Sequence, residues 1–362
     1  MGDVPLDRDA RIKLSLFSKK RRDPNGLNYE PYGLAFDHHR GILFVVDHND
    51  HRVEAFSCED GSSVCRFGEF GTLPGRFMRP YGIAIDHDQD CIFITCGDWD
   101  GRVHALSLSD QSFLWCIGQR GSGYSEFFRS PRGVAIDKHN HRIIVANTEY
   151  NRLVFWSSID LSFLFEIGSY AEGEPEFDEY EPEPEDFAYP TGIAVDDDRH
   201  RIIVTDTYNH RVQARSSIDG SFLFMFGSQG DQPCQFKSPR GVCIANQGRI
   251  IVADYYNNRL QAFTHEGHHI SSFDCGSERP LAVAFDEHRG LIAFSAGNRV
   301  HVIGANQWLA DTFTWRPDVH RYAPPWMKQA VSTMTMIRSV VDECSAMSMI
   351  PNELLFEIFS HL

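Results

Sequence analysis

The 362-residue chain has no apolar run approaching the ~20 residues of a membrane span, which excludes a helical membrane protein. Met1 to Leu6 hold no apolar secretory core, and Leu6 stands where a myristoylation signal wants Ser or Thr. A cytosolic or nuclear protein is expected. The nine cysteines include no pair at the two-residue spacing of a zinc or redox site; Cys58 with Cys65 and Cys91 with Cys96 come nearest. Several, such as Cys91, Cys116 and Cys243, fall in strand-like runs, where a thiol acts as a small apolar group. Positive charge is scarce as well, with 34 basic against 50 acidic residues and a net charge of -16. Nucleic-acid affinity comes from basic patches that displace counterions, so this balance argues against such a ligand. No Ser/His/Asp arrangement, phosphate loop or catalytic carboxylate pair emerges.

What is present is a repeat. Pro, any residue, Gly and an apolar pair recur from Pro31, Pro80, Pro131, Pro190 and Pro239, and in worn form from Pro280, at intervals of 49, 51, 59, 49 and 41 residues. The fourth unit contains four short β-branched and aromatic runs, Ile193 to Val195, Ile202 to Thr205, Val212 to Arg215 and Phe222 to Phe226, separated by turn signals. Four strands at a period near 50 predict an all-β, six-bladed propeller of four-stranded antiparallel blades. A second landmark sits before the third strand: Asp47 and Arg52, Asp98 and Arg102, Asn147 and Arg152, Asp206 and Arg211, Asp254 and Arg259, with only Asn298 and Arg299 in the sixth unit. Short polar side chains there can bond turn backbone, and the Arg can reach a carboxylate.

This double landmark, with the cluster Asn209, His210, Arg211, Val212, resembles the NHL repeat and covers roughly residues 11 to 304. No WD dipeptide or kelch-type glycine pair competes with it, and no RING or B-box accompanies it. Residues 11 to 17 read as a fourth strand without its blade, so the N-terminus is expected to complete the sixth blade. The alternative is closure through Trp308 to Phe313. Antiparallel order puts the two-to-three turns and the four-to-one connections on one face. That face would carry Trp99, Tyr150, Tyr208, Tyr255 and Tyr256, with Arg132 and Arg240 after the incoming prolines, a composition typical of protein-binding hot spots. The alternative is that these rings cap blade ends. Lys19 to Arg22 fall on the same face, as does a run from Glu172 to Asp186 with nine carboxylates and three prolines, read as a solvated loop. Two charge runs about half a turn apart would polarise the face; the basic one could instead serve as a nuclear import signal.

The fold also resembles that of an amidating lyase and of calcium-dependent lactonases and phosphotriesterases, whose metal lies in the central channel. That chemistry needs His or carboxylate side chains on the first strands. Here Leu34 to Phe36, Ile83 to Ile85 and their equivalents are apolar, so no metal or cofactor is expected. His38, His39, His87, His139, His141, His200 and His288 lie instead in one-to-two turns and read as separate surface residues. Asp37, Asp86, Asp137, Asp196 and Asp286, closing the first strands, read as turn caps.

Residues 305 to 326 read as a Trp- and Pro-rich linker, and 327 to 362 as a helical tail, with Val331, Met334, Ile337 and Val341 on one helix face. The last 13 residues, 350 to 362, resemble the first helix of an F-box through Ile350, Pro351, Glu353, Leu354, Leu355, Ile358, Phe359 and Leu362; a SOCS-type box is a second model, and a plain hairpin or oligomerisation element a third. The resemblances together imply a monomeric, non-catalytic protein-binding propeller, linked through its tail to a cullin-type ubiquitin ligase. An RNA-binding regulator or a channel-metal enzyme is the competing reading.

Overall fold

A computed structural model describes residues 14–15, 30–97, 100–120, 127–168, 185–305 and 308. The chain divides into two compact units, Met1–Ala310 and Asp311–Leu362. The second lies outside the described residues, and with it the helical tail and the F-box-like segment. Lys19 to Arg22, Trp99 and the acidic run up to residue 184 lie outside them too.

The first unit contains six four-stranded antiparallel sheets. Their inner strands are Pro31–Asp37, Pro80–Asp86, Pro131–Asp137, Pro190–Asp196, Pro239–Ala245 and Pro280–Asp286. Blade four continues through Arg201–Asp206, Arg211–Ser216 and Phe222–Phe226, in sequence order. Each inner strand starts at its Pro, three residues before the apolar run, because the ladder shifts register between Pro and the run, as between Pro190 and Ile193. A Pro, lacking an amide hydrogen, suits a first strand residue.

The glycine of Pro-X-Gly has a steric cause. A Cβ on Gly33, Gly82, Gly133 or Gly192 would lie 2.1–2.4 Å from the carbonyl oxygen of Tyr81, Arg132, Thr191 or Arg240 on the next blade. Inner strands thus approach one another backbone to backbone, and any side chain would push the ring open. Thr95 and Thr205 stitch the same seam: Thr95 Oγ1 accepts from Gly82 N (2.8 Å) and donates to Arg132 O (2.6 Å).

The core is six interfaces rather than one interior. Each hydrophobic cluster joins residues of two successive blades, as Ile203, Val212 and Ala214 of blade four meet Val242, Ile250 and Val252 of blade five. The sixth interface, Leu34, Phe36 and Leu43 against Ala284, Ala293 and Val300, spans the join of first and last blades. There Leu14–Ser15 supplies the outer strand, pairing antiparallel with Arg299–Gly304 through Leu14 to Val302 and Ser15 to His301. Closure therefore uses the N-terminal strand; Trp308 packs instead on Phe273, ring centroids 5.7 Å apart, in the cluster between blades five and six.

The strand cysteines divide. Cys91 is buried and its thiol is pushed up to about 11 by burial, in line with an inert core role. Cys116 is exposed, because it points away from the blade interface on an outermost strand, Phe113–Ile117.

Candidate functional site

The Asp-to-Arg landmark builds the rim of the candidate face. Asp206 Oδ2 accepts from Asn209 Nδ2 (2.9 Å), Arg211 Nε (2.8 Å) and Gln213 Nε2 (2.9 Å), while its Oδ1 takes the amide of Ala188 (2.6 Å). Asp254 repeats this with Asn257, Arg259, Gln261 and the amide of Lys237. The residue before the Arg reaches the following blade: His51 Nδ1 accepts from Arg79 N, Asn151 Oδ1 from Tyr189 N and His210 Nδ1 from Ser238 N, at 2.8–3.0 Å. Those three donors precede the prolines and have φ of 49–59°, a left-handed conformation that the bond helps to hold. In blade two the Arg102 partner is Asp100, at 3.1 Å.

This frame sets out the mouth of a central channel, a cavity of about 110 Å3. Its wall is apolar, formed by Leu34, Ile83, Val134, Ile193, Val242 and Val283, and among the described residues no carboxylate or imidazole lines it. The X residues of Pro-X-Gly ring its mouth, including Tyr32, Tyr81, Arg132, Thr191 and Arg240. The Arg132 guanidinium lies between the Tyr81 and Tyr189 rings, 4.8 Å from each centroid, and donates from Nη2 to Tyr189 Oη at 2.8 Å. Arg240 lies 4.0 Å over Tyr255, and Arg279 lies 4.8 Å over Tyr256. Both Arg132 Nε and Arg240 Nε are buried with no hydrogen-bond partner among the described residues. Burial lifts the Tyr32 and Tyr189 phenols above their ordinary pKa, keeping both protonated as donors. Arg132, Arg240 and Arg279 thus stack on rim tyrosines, with Glu30 and Glu149 near enough to raise the Tyr32 and Tyr189 phenols further.

The sequence-predicted face residues divide accordingly. Tyr208 and Tyr256 are exposed, at 61% and 45%, and Tyr208 stacks on Tyr189 at 4.4 Å. Tyr255 is half-buried beneath two guanidinium groups. Tyr150 departs from the expected exposure: it is buried in the turn Thr148–Tyr150 with Arg152 over its ring at 5.0 Å. Sequence reasoning missed Tyr32, Tyr81 and Tyr189. The first two were legible, since they occupy the same X position as Arg132 and Arg240.

At the opposite end four of the five Asp residues cap their turns. Asp37, Asp86 and Asp286 each accept two turn amides at 2.9–3.3 Å, and Asp137 accepts the amide of Asn140 at 3.1 Å. Asp196 departs from this reading: its carboxylate caps no turn amide and instead accepts from Arg199 and Arg201. The turn histidines, however, are not separate. His38 lies 4.2 Å from His87, 4.4 Å from His39 and 4.6 Å from His288, and His139 lies 4.8 Å from His200. Inner strands packed backbone to backbone bring their turns together, which no linear spacing displays.

An NHL-repeat family model matches residues 187–214 and 236–263, the first three strands of blades four and five. Those segments carry the repeat that the sequence resembles, and the six-bladed ring agrees with it. A search of curated proteins finds no match. Among solved structures, a gluconolactonase from Xanthomonas campestris is 15% identical, with a TM-score of 0.59 over 82% of this chain and 91% of that one. Virginiamycin B lyase from Staphylococcus aureus is 14% identical, with a TM-score of 0.52 over 76% and 97%. A nidogen/laminin complex contains a chain 16% identical, with a TM-score of 0.50 over 68% and 81%. At such identities these likenesses establish the shared propeller fold. Among the described residues no helix is long and apolar enough to cross a membrane.

Proposed function

We propose that the protein is a non-catalytic interaction module that binds a partner protein on the face bearing Arg132, Arg240, Tyr208, Tyr255 and Tyr256. The observation that carries this reading is the half-buried Arg132 guanidinium packed against the Tyr81 and Tyr189 rings at the channel mouth. Such a group is preorganised to take a carboxylate, so the partner presents an acidic side chain or a chain terminus to the mouth, with the exposed tyrosines packing around it. The apolar channel wall favours this over lactonase- or lyase-like chemistry, which would want polar groups converging there. The acidic excess of the chain weighs against RNA.

The second half of the reading rests on sequence alone. Pro351, Leu354, Leu355, Ile358, Phe359 and Leu362 would join the propeller to a cullin-complex adaptor, making it a substrate-recognition subunit in ubiquitin-dependent degradation. Affinity capture from cells with wild-type, R132A/R240A and 345–362-deleted baits separates the two halves. The face variant should lose cargo and keep adaptor; the tail deletion should lose adaptor and cullin together and keep cargo. Identical captures by wild-type and R132A/R240A baits, both folded by their melting curves, would sink the face assignment.

A further inference from the structure

The one-to-two turns of blades six, one and two gather four imidazoles at the end of the ring opposite the tyrosines. His38 stacks nearly parallel on His288, with 3° between planes, and is flanked by His39 and His87, whose rings are 4.4 Å apart. One ring nitrogen each from His38, His39 and His87 lies within 4.8 Å of the others. We propose that these three side chains form a site for a divalent transition-metal ion of the zinc type, with a further position open to water or to His288.

Three features carry the assignment. All the donors are imidazole nitrogens, a set that suits zinc, nickel or copper and not calcium or magnesium. Zinc–nitrogen bonds of about 2.0–2.1 Å in tetrahedral geometry need ligand atoms about 3.4 Å apart, so the site closes by rotation of turn side chains, of which His39 is exposed. His87 Nε2 already meets Asp37 Oδ1 at 3.2 Å, leaving Nδ1 as the ligand atom. A carboxylate on the far nitrogen is how metal-binding histidines are oriented. Asp37 is itself fixed by Arg40 and by the amides of residues 39 and 40.

A second cluster, Cys96, Asp100 and His104, has comparable spacing but a different explanation. It is wholly buried, and His104 Nε2 bonds Asp100 Oδ2 at 2.7 Å much as Gln213 and Gln261 bond the brackets of blades four and five. It belongs to the frame.

The test uses tag-free, full-length protein stripped with chelator. Titration with Co2+ should produce the visible absorption bands of a low-coordinate nitrogen site at one equivalent, and Zn2+ should bleach them. H38A/H39A and H87A should each weaken uptake at least roughly tenfold, while H200A and H265A should not. Absence of uptake by the wild type, or uptake equal in all five proteins, overturns the site. Since a misfolded variant would also lose binding, zinc-edge anomalous scattering from wild-type crystals gives an independent reading. A peak at bonding distance from His38, His39 and His87 supports the proposal, and a peak elsewhere or none rejects it.

Discussion

Asp254 is fully buried, yet three side chains and one amide bond its carboxylate. Removing it leaves Arg259 and Gln261 without the acceptor around which they are built. D254A should therefore cost about 3–5 kcal/mol, the range for stripping one partner from a buried charged pair, measured by denaturant unfolding. Blade one replaces the Gln of this bracket by Glu54, and Arg52 is shared with Asp50 at 2.7 Å and Glu54 at 3.1 Å. Burial and the neighbouring Asp50 charge push the Asp47 carboxyl up to about 7 from its ordinary value. The native state then keeps a proton that the unfolded chain releases, so this group's contribution to stability falls as pH rises from about 4 to 7. D47N removes that penalty: it should be more stable than wild type above pH 7 and equal to it below about pH 4, as thermal melts across pH would show. Asp206 and Arg211 were legible as a spaced pair in the sequence. Gln213 was not, because a polar residue in a strand reads as solvent-facing until its partner is known.

Between strand four of one blade and strand one of the next, a glycine and a phenylalanine lock together. Gly68, Gly118 and Gly227 end fourth strands at φ of 79–96°, and a Cβ there would strike the rings of Phe77, Phe128 and Phe236 at 2.2–2.5 Å. All three rings are fully buried, each three residues ahead of its Pro. F236A should destabilise the protein by about 3–5 kcal/mol through the cavity it leaves, again by denaturant unfolding. The Phe recurs at a constant offset and was thus available to pattern reading. Pro and Gly stand out in a sequence because they break strands, whereas a Phe before a turn resembles any other core residue. The inner-strand bulge escaped for a related reason: its cause is a carbonyl on another blade.

At the scale of the ring, among the described residues, six blade-to-blade interfaces bury the core and each hydrophobic cluster joins two blades. The number of blades and their strands followed from periodicity, which left two candidate closing segments; the pairing of Leu14 with Val302 decides between them. Gathering of the turn histidines did not follow from periodicity, because it depends on how close the turns come once the ring is shut. Deletion of residues 1 to 18 removes the outer strand of blade six and exposes the edge Arg299–Gly304. Such a protein should lose cooperative melting; a truncated form that melts at the wild-type temperature would show that the join between first and last blades holds without it.

That join also sets an order of events during synthesis. The segment around Leu14 is synthesised long before its partner around Val302. At roughly 5–20 residues per second, the earliest-made strand waits tens of seconds for its mate. Throughout that interval the nascent arc has two bare flanks, and a chaperone or a neighbouring copy can occupy either before the chain meets its own beginning.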